Sequence, residues 1–259
     1  MPIRSERWPE GTPSWVDLSV NDLEGAKAFY GGLFGWEFQD AGEEAGHYNM
    51  ASKGGHQVAG IGPAMDPNWP CVWTTYFAAD SADDVAARVQ AAGGQVAVEP
   101  FDVLGVGRML AGIDTVGAAF GVWEAKLHIG AGLYNEQGAL IWNELHTHDF
   151  VAAQEFYGKL FGYTFNDLSS EGLTYATFDR EPQGEGLGGI QLDTDIPEGA
   201  PNYWLTWFGS AGVDADTAKV GELGGTVLMP PMDSPFGRMS VVTGPEGEAF
   251  GLIQLPAVE

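Results

Sequence analysis

Between Trp15 and Val20 apolar and polar positions alternate, and Trp15, Val16, Leu18 and Val20 supply the aromatic and β-branched side chains that suit a pleated strand. The period then changes. Leu23, Ala26, Phe29, Tyr30 and Leu33 recur every three or four residues, which predicts a helix begun by Asn21 or Asp22 as acceptor for its free amides and stopped by Gly35. Strand-like pieces follow at residues 36–38, 47–52 and 56–61, separated by glycine-rich turns. A β-α-β-β-β unit results, and the pattern repeats it: strand 72–78, helix 81–92 closed by Gly93 and Gly94, then strands 95–98, 108–113 and 119–124.

The second half of the chain follows the same scheme. Strand 141–147, helix 149–160, strand 203–208 and helix 214–223 head two more units, the last strand ending near Leu255. The residues themselves recur. Trp15, Leu18, Asp22, Ala26, Phe29, Tyr30, Leu33, Phe34, Gly35 and Phe38 return as Trp142, Leu145, Asp149, Ala153, Phe156, Tyr157, Leu160, Phe161, Gly162 and Phe165, an offset of 142 − 15 = 127. Later landmarks such as Trp73 and Trp204, Arg108 and Arg238, and Gly121 and Gly251 match with small drifts that loop indels explain. This is an internal duplication. It predicts an α+β protein of four βαβββ modules in two tandem domains, 1–127 and 140–259, joined by a linker at 128–139 with three glycines and no apolar run. Each domain is expected to bury its own core.

Composition narrows the function classes. With 44% hydrophobic residues, nine Trp, eight Tyr and fourteen Phe, the chain is too apolar for disorder. A net charge of −25, from 11 basic and 36 acidic residues, repels phosphate backbones and anionic headgroups, so neither nucleic acid nor a membrane surface is an expected partner. The single cysteine, Cys71, excludes an internal disulfide and any multi-cysteine zinc site. The sequence shows no signal-type apolar segment and no run long enough to span a bilayer, so a cytoplasmic location is expected.

The stretches Asp17–Asp22 with Phe29–Trp36, and Glu144–Asp149 with Phe156–Tyr163, resemble the first strand and helix of the glyoxalase/bleomycin-resistance, or vicinal oxygen chelate, superfamily. Gly107–Met109 and Gly117–Trp123 are similar to its closing strands. Within it, the tandem layout and the start Trp142-Asn143-Glu144-Leu145 look most like actinobacterial proteins of the culture-filtrate-antigen type, often labelled hydroxylases or glyoxalase-like. The resemblance implies curved mixed sheets around cavities. It also implies that a single chain makes the contact single-domain relatives make by dimerising, hence a monomer with an internal pseudo-dimer. Activity is left open, because the superfamily includes isomerases, dioxygenases, epimerases and plain drug-sequestering proteins.

In metal-dependent relatives the first and last strands of both modules supply His, Gln or Glu ligands. Carried over, those positions fall on Trp15, Gly60, Thr74 and Gly121 in the first domain and on Trp142, Gly189, Leu205 and Gly251 in the second. An indole offers only an N–H donor and glycine offers no side chain, so no family metal and no other cofactor is expected. Alternation then turns Trp15, Asp17, Thr74, Tyr76 and Trp123, and Trp142, Glu144, His146, Leu205 and Trp207, toward the cavities. An aromatic lining with a few polar groups is the usual make-up of a small-molecule pocket. Two functions follow: a binding protein for a small, largely aromatic metabolite, or a metal-independent lyase, isomerase or hydroxylase-type enzyme on a polyketide-like or phenolic/carbonyl compound. In the second, Glu144 and His146 form an acid-base pair. A metal-dependent lyase or dioxygenase conflicts with the eight positions. Trp15 and Trp142 either stack on a ligand or fill the space a metal would leave, and Arg108 and Arg238 either clamp an anion or pair with Asp102 and Asp233.

Overall fold

The computed structural model describes residues 2–182, 184 and 186–254. The first half runs β1 (Pro13–Val20), α1 (Leu23–Phe34), β2 (Glu37–Asp40), β3 (Asn49–Lys53), β4 (His56–Pro63), β5 (Trp73–Ala79), α2 (Ala82–Ala91), β6 (Gln95–Val103), β7 (Gly107–Ile113) and β8 (Ala119–Ala125). The second runs β9 (Leu140–Thr147), α3 (Phe150–Phe161), β10 (Thr164–Asp167), β11 (Tyr175–Asp179), β12 (Gly188–Leu192), β13 (Tyr203–Gly209), α4 (Val213–Glu222), β14 (Thr226–Ser234), β15 (Gly237–Thr243) and β16 (Ala249–Gln254). Leu255, where the pattern placed the end of the last strand, lies outside the described residues.

Both helices that open a half are begun and ended as the sequence predicts. Asp22 Oδ1 accepts from the Gly25 amide at 2.9 Å and Asp149 Oδ1 from the Ala152 amide at 3.0 Å. Gly35 and Gly162 close the helices at φ 71° and 73°, left-handed values that a side chain disfavours.

Each half forms one eight-stranded sheet, and the orders correspond: β2-β3-β4-β1-β5-β8-β7-β6 and β10-β11-β12-β9-β13-β16-β15-β14. The sheets are mixed, with β1 antiparallel to β5 but parallel to β4, and β5 parallel to β8. They are tandem glyoxalase-like sheets, each made by two βαβββ modules. The 128–139 stretch is more than a spacer. Ala131, Leu133 and Ala139 are buried in it, and Leu133 bridges to Ile3.

The cores are shared between the halves rather than owned by each, which departs from the sequence expectation. Val16, Leu18 and Val20 point toward α1, where Phe29, Tyr30 and Phe34 pack with Phe208, Phe250 and Leu252 of the other half. Reciprocally, Phe156, Tyr157 and Phe161 of α3 pack with Phe77, Leu110 and Phe120. The helix-covered faces therefore look at each other, and burying each phenylalanine there contributes about 2 kcal/mol. Buried polar groups at this junction are satisfied across it. Trp73 Nε1 donates to Tyr30 Oη (3.1 Å), which donates to Glu248 (2.9 Å); Trp204 Nε1 donates to Tyr157 Oη (3.0 Å), which donates to Asp114 (3.0 Å). The sheet faces turned away from the helices carry the candidate site residues.

Candidate functional site

On the first half's outer face, strand alternation puts Trp15 in a cluster with Tyr76 and Trp123, packed against Trp8, Met50 and Met109. Asp17 lies beside them, opposite Gly60 on β4 and Thr74 on β5. A hydrogen-bond chain ends on its carboxylate: Trp15 Nε1 donates to Tyr48 Oη at 3.1 Å, and Tyr48 Oη donates to Asp17 at 3.3 Å. The Tyr76 hydroxyl donates to it as well. Among the described residues no Lys, Arg or His forms an ion pair with Asp17. Burial therefore pushes its carboxyl up to about 7, against the opposing pull of the two phenols. Trp15 is only 3% exposed, so its ring serves to hold the Tyr48 hydroxyl rather than to offer a free stacking face. His128 from the loop after β8 meets Trp15 edge-on at 4.5 Å, and burial lowers its ring to about 4.

The second half repeats the frame and completes it differently. Trp142 Nε1 donates to Tyr175 Oη at 2.9 Å, and the Tyr175 hydroxyl reaches Glu144. Trp207 Nε1 donates to the same carboxylate at 3.2 Å, and Leu205 lies opposite Glu144 in the register. His146 sits between two acids, with Nε2 3.0 Å from Glu144 and Nδ1 2.9 Å from Asp193. Burial alone would lower its pKa, but the hydrogen bonds and charges of Glu144 and Asp193 outweigh that and raise it. Asp193 is buried enough to be raised, yet the His146 contact leaves it below the usual carboxylate range. Tyr203 stacks flat on the imidazole, ring centres 5.0 Å apart, and bonds to Asp193. Both imidazole nitrogens are engaged by carboxylates, which favours the protonated ring.

The structure thus brings Trp15, Asp17, Thr74, Tyr76 and Trp123 onto one face, and Trp142, Glu144, His146, Leu205 and Trp207 onto the other. Sequence reading missed Tyr48, Tyr175, Asp193 and Tyr203. Tyr48 and Tyr175 carried a usable signal, since 175 − 48 = 127 is the register of the duplication. Asp193 and Tyr203 reach His146 from a loop and from β13, which no spacing reveals.

The donor set does not fit the divalent ion the family resemblance implies. At all four closing-strand positions a ring from the neighbouring strand, or for Tyr48 from the residue just before it, lies across a glycine: Tyr48 on Gly60, Tyr76 on Gly121, Tyr175 on Gly189 and Trp207 on Gly251. A Cβ at any of these glycines would collide with the ring, so there is no room for a ligating side chain. Among the described residues no group of three or more His, Cys, Asp or Glu gathers in a ligating arrangement. Two hollows of about 210 and 360 Å³ lie elsewhere, one at Thr164, Thr177 and Asp179, the other at the rim by Ile141 and Ile253. Arg108 is held by Asp83 and Asp102, and Arg238 by Asp214 and Asp233, both fully engaged with carboxylates.

Known proteins share the sequence pattern and the fold. Residues 12–121 match the model of the Glyoxalase/Bleomycin resistance protein/Dioxygenase superfamily. The chain is 40% identical over 262 residues to "Putative glyoxylase CFP32" of Mycobacterium tuberculosis (strain CDC 1551 / Oshkosh), covering 98% of each. It is 34% identical over 266 residues to the anthracycline biosynthesis protein DnrV of Streptomyces peucetius, covering 96% of this chain and 95% of that one. The fold matches the Mn(II)-bound glyoxalase from Novosphingobium aromaticivorans with a TM-score of 0.67 at 18% identity, over 97% of this chain and 85% of the other. It also matches the 2,3-dioxygenase LapB from Pseudomonas sp. KL28 with a TM-score of 0.66 at 14% identity, over 96% and 95%. The duplicated βαβββ modules, their strand order and these full-length similarities together establish that the chain belongs to the glyoxalase/bleomycin resistance/dioxygenase superfamily.

Proposed function

We propose that this protein binds a small, largely aromatic, oxygen-bearing metabolite on its two outer sheet faces, without the family's divalent ion. The observation that carries this reading is the fourfold placement of a ring across a glycine where a ligating side chain would stand. Ring faces supply apolar contact, and the carboxylate at the end of each indole–phenol chain, Asp17 or Glu144, orients a polar group. Thr74, Tyr76 and Trp123 border the first face; Trp142, Leu205, Trp207 and His146 border the second. The name of the Streptomyces relative, a protein of anthracycline biosynthesis, points the reading to fused-ring aromatic compounds. The shared cores support action as a monomer whose halves, 1–127 and 140–259, form a pseudo-dimer.

A second reading, a metal-independent enzyme acting on a polyketide-like or phenolic carbonyl compound, is favoured by the continuous chain Asp193–His146–Glu144. A proton can pass along such a chain if a ligand displaces one contact. Native mass spectrometry of the purified protein for a retained small molecule, with titration of indole emission by the neutral phenol 1-naphthol, tests the binding reading. A retained aromatic compound and saturable quenching are expected; absence of both overturns it. Turnover of the identified compound that vanishes in His146→Ala would select the enzyme.

A further inference from the structure

We propose that the first half's face seats an organic ammonium group against Asp17, whereas the corresponding face of the second half takes an uncharged group. This rests on the reading that these faces receive a small aromatic molecule, and it names the charge that the first face selects.

The two carboxylates occupy the same place in the duplicated frame, each reached by a tyrosine that an indole N–H holds from behind. They differ in what neutralises them. Glu144 has His146, and the residue at that position in the first half is Ser19, whose side chain cannot carry charge. Phenol donors of Tyr48 and Tyr76 satisfy lone pairs of Asp17 but leave its charge unopposed, and a partly buried carboxylate without a cation is an unfavourable state. A cation from outside removes that penalty. A neutral ligand does not.

The surroundings suit an organic ammonium better than a metal ion. Tyr48, Tyr76 and Trp123 bring π systems around the carboxylate, and aromatic walls attract soft, weakly hydrated cations through the ring quadrupole. One carboxylate with two phenols is too poor a donor set for a hard divalent ion. The chain already uses the same contact at the rim, where the Arg4 guanidinium lies 4.5 Å over the Trp8 ring. At long range the net charge of −25 concentrates cations near the surface.

The titratable groups turned toward Asp17 are few. Tyr48 beside β3 and Tyr76 on β5 stay protonated, because burial and the nearby carboxylate hold them above their ordinary range. β4 presents Gly60, and His128, packed on Trp15, stays neutral above about pH 4. Occupancy by a permanent cation should therefore follow the ionisation of Asp17 alone, tightening as pH rises through about 7.

Calorimetric titration with benzyltrimethylammonium, whose charge does not depend on pH, tests this against benzyl alcohol, its uncharged counterpart. At about pH 8 the cation should bind at least about tenfold more tightly than at about pH 5.5, the benzyl alcohol affinity staying flat. Asp17→Asn should abolish the pH dependence and weaken the cation about tenfold at the higher pH, while Glu24→Gln, the same charge change on the exposed side of α1, leaves both intact. Equal cation affinity at the two pH values in the unaltered protein, an unaffected Asp17→Asn variant, or no saturable cation binding would overturn the proposal. Should 1-naphthol and benzyl alcohol bind while the cation gains nothing, the charge assignment fails and the aromatic reading stands. Should none of the three bind, both fall.

Discussion

The two outer faces are copies of one frame that have diverged in side chains such as Thr74 against Leu205 and Tyr76 against Trp207, and above all in the partner of the central carboxylate. Indole, phenol and acid recur in the same order, Trp15–Tyr48–Asp17 and Trp142–Tyr175–Glu144. In the second half His146 gives Glu144 a cationic partner, which it shares with Asp193; in the first, among the described residues, no basic side chain pairs with Asp17. Duplication thus preserved the scaffold of hydrogen bonds and changed the charge presented at its end. The lesson is that equivalent positions in two halves predict equivalent geometry but not equivalent electrostatics, because charge balance depends on one added neighbour.

The largest expected effect tests whether the faces share a foundation. Phe29→Ala and Phe156→Ala remove rings from cores built by both halves, and each should lower stability by about 3–5 kcal/mol. Urea unfolding followed by indole emission and circular dichroism should remain a single transition in both variants. Separate unfolding of one half would break the comparison at its base.

A smaller but still large loss is expected from His146→Ala, which leaves Glu144 and Asp193 facing each other without a cation; the penalty should be about 3 kcal/mol near pH 6. Because the pKa of His146 is raised in the folded protein, its stabilisation is complete below 6.5 and is lost as pH rises through the raised value. The penalty should shrink accordingly in alkaline solution. Ser19→Ala, at the matching place, should leave stability unchanged, as measured by the same denaturation series.

Asp17→Asn should have the smallest effect and the opposite sign. The folded protein holds a proton on Asp17 up to about 7, whereas the unfolded chain releases it near 3.8, so stability from this group declines as pH rises between those values. Linkage alone sets a ceiling of about 4 kcal/mol, and partial exposure reduces the expected gain of the variant to about 1 kcal/mol at pH 8. At about pH 4 the two proteins should be equally stable. An NMR titration of the Asp17 carboxyl that returned an ordinary value would remove the contrast between the faces.

Much of the frame was legible before any coordinates. The alternation at Trp15–Val20, the helical spacing from Leu23 to Leu33 and their return at an offset of 127 fixed four modules and the facing of Trp15, Asp17, Trp142 and Glu144. Periodicity gives this much because a strand alternates its side chains whatever surrounds it. The same rule misjudged the core, since it says which face is apolar but not what covers it; Phe208 and Phe250 packing on α1 belong to the far half. It also treated His146 as free to exchange protons, because the acid at Nδ1, Asp193, stands 47 positions away in a loop.

By itself, then, the sequence determined the α+β modules, their duplication and the absence of ligating side chains at eight positions, all properties of local period and residue chemistry. Tertiary structure decided which rings lie across Gly60, Gly121, Gly189 and Gly251, which halves share a core, and which carboxylate is left without a counter-charge. Those depend on approach between distant strands and loops, where a few ångströms set burial and charge balance and no spacing along the chain records the distance.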